Sequence, residues 1–181
     1  MDLATHYLEE ALRQMKGHKR LADGALQQVT EEEFFREVDP ESNSLAVIVK
    51  HMAGNMRSRF TDFLTSDGEK SDRNRDQEFE LGMDARKDLM QAWEHGWKIV
   101  FDSISALKPE DVEKTITIRR EPHTVLQALQ RAIAHLAYHT GQIVYLAKYF
   151  RSESWKTLSV PRGKSEEFNA KMHGKHPDSK S

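Results

Sequence analysis

Apolar side chains recur every three or four residues along four long stretches of the chain, which is the spacing of amphipathic α-helices. We expect these helices at about residues 3–29, 43–64, 84–107 and 124–150. Polar and charged residues occupy most of the remaining positions, so each helix has an apolar face and a solvated face. Four long helices in a chain of 181 residues predict an all-α fold, specifically a four-helix bundle.

Two capping boxes mark helix starts. In a capping box a threonine hydroxyl accepts the backbone N–H three residues ahead, and a Glu or Gln at that position reaches back to the threonine N–H. Thr30 with Glu33 predicts a short extra helix through Phe35, between the first two long helices. Thr124 with Gln127 predicts the start of the last long helix.

The remaining segments lack a helical pattern. Residues 66–80 are polar with no apolar period, which predicts a surface loop. Thr115-Ile116-Thr117-Ile118 alternates, but a single strand of four residues cannot form a sheet, so we interpret it as an extended connection. Residues 1–168 are expected to form one domain that ends in an extended segment at 155–168, and residues 169–181 a disordered tail.

Composition narrows the class of protein. Charged residues make up 31% of the chain, and no apolar run approaches the length that a membrane-spanning helix needs. The formal net charge is −2 with both signs mixed along the chain, so we expect neither a nucleic acid nor a membrane as partner. The first residues lack the pattern of a signal peptide, which predicts a cytoplasmic protein.

Histidines and carboxylates are the candidate metal ligands, because a chain without cysteine has no thiolate to serve as a ligand or a nucleophile. His135, His139 and Gln142 lie at i, i+4 and i+7 of the fourth long helix and share one side of it. Two imidazoles one turn apart can bind the same ion, but the same spacing also fits two half-buried polar residues. His51, in the second long helix, is the candidate third ligand, although it lies off the apolar stripe.

Two motifs resemble a known superfamily. They are Ile48-Val49-Lys50-His51-Met52-Ala53 and His135-Leu136-Ala137-Tyr138-His139-Thr140-Gly141-Gln142. Over about residues 3–150 the chain resembles the DinB/YfiT-like superfamily, a group regarded as metalloenzymes. It is similar to an uncharacterised bacterial branch of that group in Asn55-Met56-Arg57-Ser58-Arg59-Phe60, Asp67-Gly68-Glu69-Lys70, Glu121-Pro122-His123-Thr124 and Leu158-Ser159-Val160-Pro161-Arg162-Gly163-Lys164-Ser165.

The resemblance implies a site and a function. It implies that His51, His135 and His139 bind one divalent ion, zinc or nickel, with Gln142 supporting a ligand. Characterised members of the superfamily imply a transferase that acts on a small-molecule substrate, in which the metal lowers the pKa of a small thiol cosubstrate such as bacillithiol, mycothiol or glutathione. Related proteins are often dimers. Together with two tryptophans in the third long helix, this leads us to expect a homodimer.

Other interpretations stay open. The chain could be a metal-dependent hydrolase, although no general base or other catalytic residue is identified, or a non-catalytic metal-binding stress or scaffold protein. Gly163-Lys164-Ser165 is not a phosphate loop, because position 158 is Leu158 where that loop has glycine.

Three residues are weaker substrate-binding candidates. Arg162 and Lys164 either face a substrate anion or solvate a loop, and His123 either lies over the pocket or closes a turn. Residues 155–168 contain Trp155 and Leu158, and burying such side chains offsets the cost of ordering a short segment. We therefore expect this segment to pack near the metal and to shape the substrate pocket.

Overall fold

The computed structural model describes residues 2–175 and is predominantly helical, with 64% helix and 5% strand. The all-α class is thereby supported at this level. The elements in chain order are α1 (Leu3–Leu26), α2 (Glu31–Phe35), α3 (Leu45–Phe60), α4 (Arg86–Ser105), β1 (Thr115–Ile118), β2 (Glu121–Thr124), α5 (Val125–Arg151) and α6 (Ser165–Lys175). Within the described residues, none of the helices combines the length and the apolar character that crossing a membrane requires.

The helix starts follow the local capping chemistry. Both predicted capping boxes form, with Thr30 and Glu33 at the start of α2 and Thr124 and Gln127 at the start of α5. The predicted ends of the first two long helices, near residues 29 and 64, lie three to four residues too far along the chain. Val29 and Phe63 are buried in the turns that follow these helices, so the apolar pattern outlasts the helix itself.

The core lies between the four long helices. Helix α3 packs mainly against α4, and α1 packs mainly against α5, with further contacts between α3 and α5. The largest fully buried side chains are Trp93, Trp97, Phe34, Met15, Leu26, Leu45, Met52, Met56, Leu129, Ile143, Val49 and Val100. At the α3–α4 contact, a Cβ on Gly96 would lie 3.3 Å from the backbone oxygen of Ala53, so glycine allows the two helices to approach closely.

The segment at residues 115–124 forms a β-hairpin, which corrects the prediction of an extended connection. Strand β1 pairs antiparallel with β2, and Ile116 lies opposite His123. The two turn residues, Arg119 and Arg120, have φ values of 56° and 66°, the left-handed conformation of a tight hairpin turn. The partner strand was missed because Glu121-Pro122-His123-Thr124 has neither alternation nor β-branched residues before its last position.

The C-terminal segment packs on α1 and α5. Leu158 lies over Gly24, where an added Cβ would approach its Cδ2 to 2.9 Å. The backbone N–H of Lys156 donates to Oε1 of Gln28 at 2.8 Å. Helix α6 then extends to Lys175, so the predicted tail overlaps a helix as far as that residue, and the rest of the tail lies outside the described residues.

We predict that Phe34→Ala destabilises the protein by about 3–5 kcal/mol, since it removes a fully buried aromatic ring that packs under α3. Urea unfolding measures the change. Phe168→Ala is the matched control, because Phe168 is 44% exposed and its loss should cost within about 0.5 kcal/mol. Equal destabilisation by the two substitutions would contradict this description of the core.

Candidate metal centre

Three histidines from two helices converge on one point. His51 projects from α3, and His135 and His139 project from successive turns of α5. The Nε2 atom of His135 lies 3.2 Å from Nε2 of His51 and 3.2 Å from Nε2 of His139. The structure therefore brings together the three residues that the sequence and its resemblance single out.

The hydrogen bonds on the other ring nitrogens determine what the cluster presents. Nδ1 of His51 lies 2.9 Å from a carboxylate oxygen of Glu78, and Nδ1 of His139 lies 2.7 Å from Oε1 of Gln142. Both partners are acceptors, so each Nδ1 carries a hydrogen, and in the neutral form of each ring Nε2 presents a lone pair. Only His135 remains able to place a proton at the centre, where it could bond to one neighbour at a time.

A cation fits this arrangement. A tetrahedral ion bound by nitrogens at about 2.0–2.1 Å holds its ligand atoms roughly 3.3 Å apart, close to the separations within the cluster. All three ligand atoms lie within 4.8 Å of one another. Lone pairs that face each other at such distances repel unless a proton or a metal ion lies between them. The three histidines could therefore hold a metal ion.

Burial keeps two of the rings neutral. Desolvation, reinforced by the neighbouring His139 and His51, lowers the pKa of His135 to about 3. Desolvation also lowers the pKa of His139 below its ordinary value, although its hydrogen bond to Gln142 opposes the shift. Near neutral pH these two imidazoles are neutral, which is the form that binds metals.

A buried carboxylate orients His51. Glu78 is 7% exposed, and its two oxygens accept hydrogen bonds from Nε and Nη2 of Arg73, both at 2.8 Å. Burial alone would raise the pKa of Glu78, but the hydrogen bonds from Arg73 and His51 outweigh it and lower the pKa. An ionised carboxylate behind a histidine fixes the ring orientation and makes the other nitrogen a better ligand.

Gly54 provides the space for this carboxylate. It lies on α3 one turn beyond His51, and a Cβ built there would be 2.3 Å from Oε1 and 2.8 Å from Cδ of Glu78. Moving Glu78 aside would break two hydrogen bonds, because Arg73 donates to both of its oxygens. The glycine is therefore required by the approach of the carboxylate and not by a turn.

The cluster opens into a cavity of about 810 Å³. Helices α3 and α5, the hairpin and the loop after α3 form its walls. Phe79 covers one side of the cluster, with its ring centroid 4.7 Å from that of His51. A small molecule can therefore reach the three Nε2 atoms.

The family model described as "Protein of unknown function (DUF1572)" matches residues 2–164. The chain belongs to this family. No curated protein and no solved structure matches it significantly. The DUF1572 match includes all three histidines, Gln142, Glu78 and the hairpin, so the candidate centre lies entirely within the family domain.

The other predicted substrate-binding residues of this DUF1572 protein lie away from the cluster. His123 is on β2, with Nε2 3.9 Å from Glu121, and does not line the cavity. Arg162 lines a separate cavity of about 440 Å³ on a different face of α5, and Lys164 pairs with Glu167 at 3.0 Å. Residues 155–168 pack on the Gly24 side of α1, so the structure does not bring them to the histidines.

Sequence reasoning missed Glu78, Arg73 and Gly54. Glu78 and Arg73 lie within residues 66–80, for which the sequence predicts only a surface loop, and Gly54 is a single glycine in a helical pattern. The only available signal was the acidic and basic residues concentrated in a loop between two helices. That signal does not say which side chains turn inward.

We predict that Gly54→Ala lowers the metal affinity of this DUF1572 protein by about 10–100-fold, because the new methyl group displaces Glu78 from His51. Competition with a fluorescent chelator measures the affinity. The matched control is Gly17→Ala in α1, where no atom lies within 4 Å of the new Cβ, and it should leave the affinity unchanged. Equal affinities for both variants would show that Glu78 does not tune the site.

Proposed function

We propose that this protein binds one divalent metal ion through His51, His135 and His139, and that the ion is zinc or nickel. The convergence of the three Nε2 atoms carries the proposal. Imidazole ligands suit both metals, and without cysteine the chain has no thiolate that could bind either metal instead. Gln142 supports His139 as Glu78 supports His51.

We further propose that the protein is a member of the DinB/YfiT-like superfamily and that its four long helices form the bundle of that group. Two observations support this. The three histidines project from the second and fourth long helices, as the resemblance implies, and the extra helix α2 and the C-terminal segment are additions around the four long helices.

We propose a metal-dependent transferase that uses a small thiol as cosubstrate. Three protein ligands leave a position for an exogenous group, which distinguishes catalytic from closed structural sites. The cavity volume lies within the range of about 300–1,000 Å³ typical of small-molecule sites. The chain has no thiol of its own, so a thiol nucleophile has to come from a cosubstrate.

The residues around the histidines support the metal site in this proposal. A bound divalent ion would supply Lewis acidity that lowers the pKa of a thiol at the open position. Glu78 holds the proton of His51 on Nδ1 and so keeps its Nε2 directed inward. Gln142 does the same for His139. Phe79 shields the His51 face from water.

The alternatives are a metal-dependent hydrolase and a non-catalytic metal-binding stress or scaffold protein. Hydrolysis needs a general base near the attacking water. Both oxygens of Glu78 are occupied by Arg73 and His51, and no other Asp or Glu is among the described residues that line the cavity. An inert site would not need an open cavity, so the arrangement favours the transferase.

A homodimer stays a prediction. The sequence indicates a dimer partly because two tryptophans of α4 add apolar surface to that helix. Trp93 and Trp97 are both fully buried within the chain, so they offer no surface to a second copy.

We predict about one zinc or nickel per chain in the purified protein, measured by elemental analysis. His135→Ala and His139→Ala should each remove most of it, because two remaining ligands bind much more weakly than three. The matched control is His95→Ala, an exposed histidine of α4, which should retain full occupancy. Full metal occupancy in the variant that lacks all three histidines would contradict the assignment of this site.

We predict that 2-mercaptoethanol changes the visible and near-ultraviolet absorption of the cobalt-substituted protein, because its sulfur takes the open position. Ethylene glycol, which replaces the thiol with a hydroxyl, should leave the absorption unchanged at the same concentration. A spectrum that neither molecule alters would mean that the centre does not accept thiols and would leave metal binding as the only supported role.

A further inference from the structure

The cavity above the histidines carries positive charge. Five arginines line it, together with the three histidines. Among the described residues that form its walls there is no aspartate or glutamate. The arginines are Arg59, Arg73, Arg75, Arg119 and Arg131.

One carboxylate outside the cavity lining accepts hydrogen bonds from three of these guanidinium groups. Glu69 accepts from Nη2 of Arg59 at 2.9 Å, from Nε of Arg119 at 2.9 Å and from Nη1 of Arg73 at 3.2 Å. Neither Glu69 nor Glu78 lines the cavity. The three guanidinium groups therefore outnumber the two carboxylates behind them, and their positions are fixed by ion pairs.

The remaining two arginines have no carboxylate partner among the described residues. Arg75 lies over the ring of Phe79, 4.9 Å from its centroid, and that ring in turn covers His51. Arg131 is on α5 one turn before His135, a rise of roughly 6 Å along the helix. Both are exposed and line the cavity, so they are available to a ligand.

An apolar wall completes the cavity. It consists of Phe60, Phe63, Ile118, Ala128 and Ala132. A ligand that fills the cavity would contact this wall along its length and meet arginines at its charged group. Guanidinium groups bind carboxylate and phosphate oxygens through paired hydrogen bonds, more strongly than they bind neutral groups.

We propose that the small molecule which binds at this centre, the thiol cosubstrate of the proposed function, is an oxyanion, whose carboxylate or phosphate group binds Arg75 and Arg131 while its reacting group reaches the Nε2 atoms of the histidines. The inference rests on the proposed metal-dependent function and adds the charge class of this cosubstrate. The three fixed arginines supply the background field, and the two unpaired ones make the direct contacts.

Two thiols that differ in charge test the proposal on the cobalt-substituted full-length protein. We expect 3-mercaptopropionate to bind at least tenfold more tightly than 2-mercaptoethanol, measured by titration of the absorption spectrum. The double variant Arg75→Gln/Arg131→Gln should reduce this ratio to about threefold or less, since it removes the guanidinium contacts of the carboxylate. Comparison of ratios between proteins cancels the intrinsic difference in thiol acidity.

The matched control is Arg13→Gln/Arg57→Gln, which removes the same total charge. Both of these arginines are exposed, pair with Glu10 and Asp72, and do not line the cavity. The control should keep the preference for the carboxylated thiol. Equal binding of the two thiols by the wild-type protein, or an unchanged preference in Arg75→Gln/Arg131→Gln, would overturn the proposal.

A second measurement separates failure of this inference from failure of the proposed function. If neither thiol alters the cobalt spectrum, calorimetric titration of the metal-free protein with inorganic phosphate and with succinate decides the anion question. We expect at least one of them to bind with an affinity that falls tenfold or more in Arg75→Gln/Arg131→Gln, and the stronger ligand identifies the oxyanion. No binding of either, or binding equal in the variant, would refute the anion site.

Discussion

The hydrogen bond between His51 and Glu78 links the candidate centre to the rest of the fold. It requires an ionised carboxylate in the interior, and Arg73 makes this possible by donating to both oxygens. It also requires space at the surface of α3, which Gly54 provides because it has no side chain. A helix, a loop and an ion pair therefore meet at one side chain. A buried carboxylate that lost either partner would carry a desolvation cost comparable to a substantial part of the stability of a domain.

The loop after α3 connects this network to the hairpin. Asp67 accepts the backbone N–H groups of Arg119 and Arg120, which stabilises a turn that neither residue would favour alone. Desolvation alone would raise the pKa of Asp67, but the hydrogen bonds from the backbone N–H groups of Glu69, Arg120 and Arg119 outweigh it and hold the pKa well below its usual range. The N–H of Gly68 donates to the Thr117 oxygen. One short motif thus fixes the turn and, through Glu69, the direction of the arginines.

Helix geometry made part of the site predictable from sequence. Residues at i and i+4 of a helix share a face, as His135 and His139 do. The capping boxes at Thr30 and Thr124 involve only residues close in sequence. His51 is 84 residues from His135, so its position followed from resemblance and not from periodicity. The sequence does not predict that Glu78 lies beside His51, because the path of a loop depends on tertiary contacts that the local pattern does not encode.

Charge shows the same division between local and global information. The formal net charge of −2 describes the chain as a whole and implies no strong field. Yet the described residues of the cavity walls include five arginines and no acidic side chain, because Glu69 and Glu78 pair with the arginines outside the lining and many other carboxylates lie on solvated faces. Composition averages over these positions. A field that acts on a ligand depends on which charges share a concave surface, and only the packing of α3, α5 and the hairpin determines that.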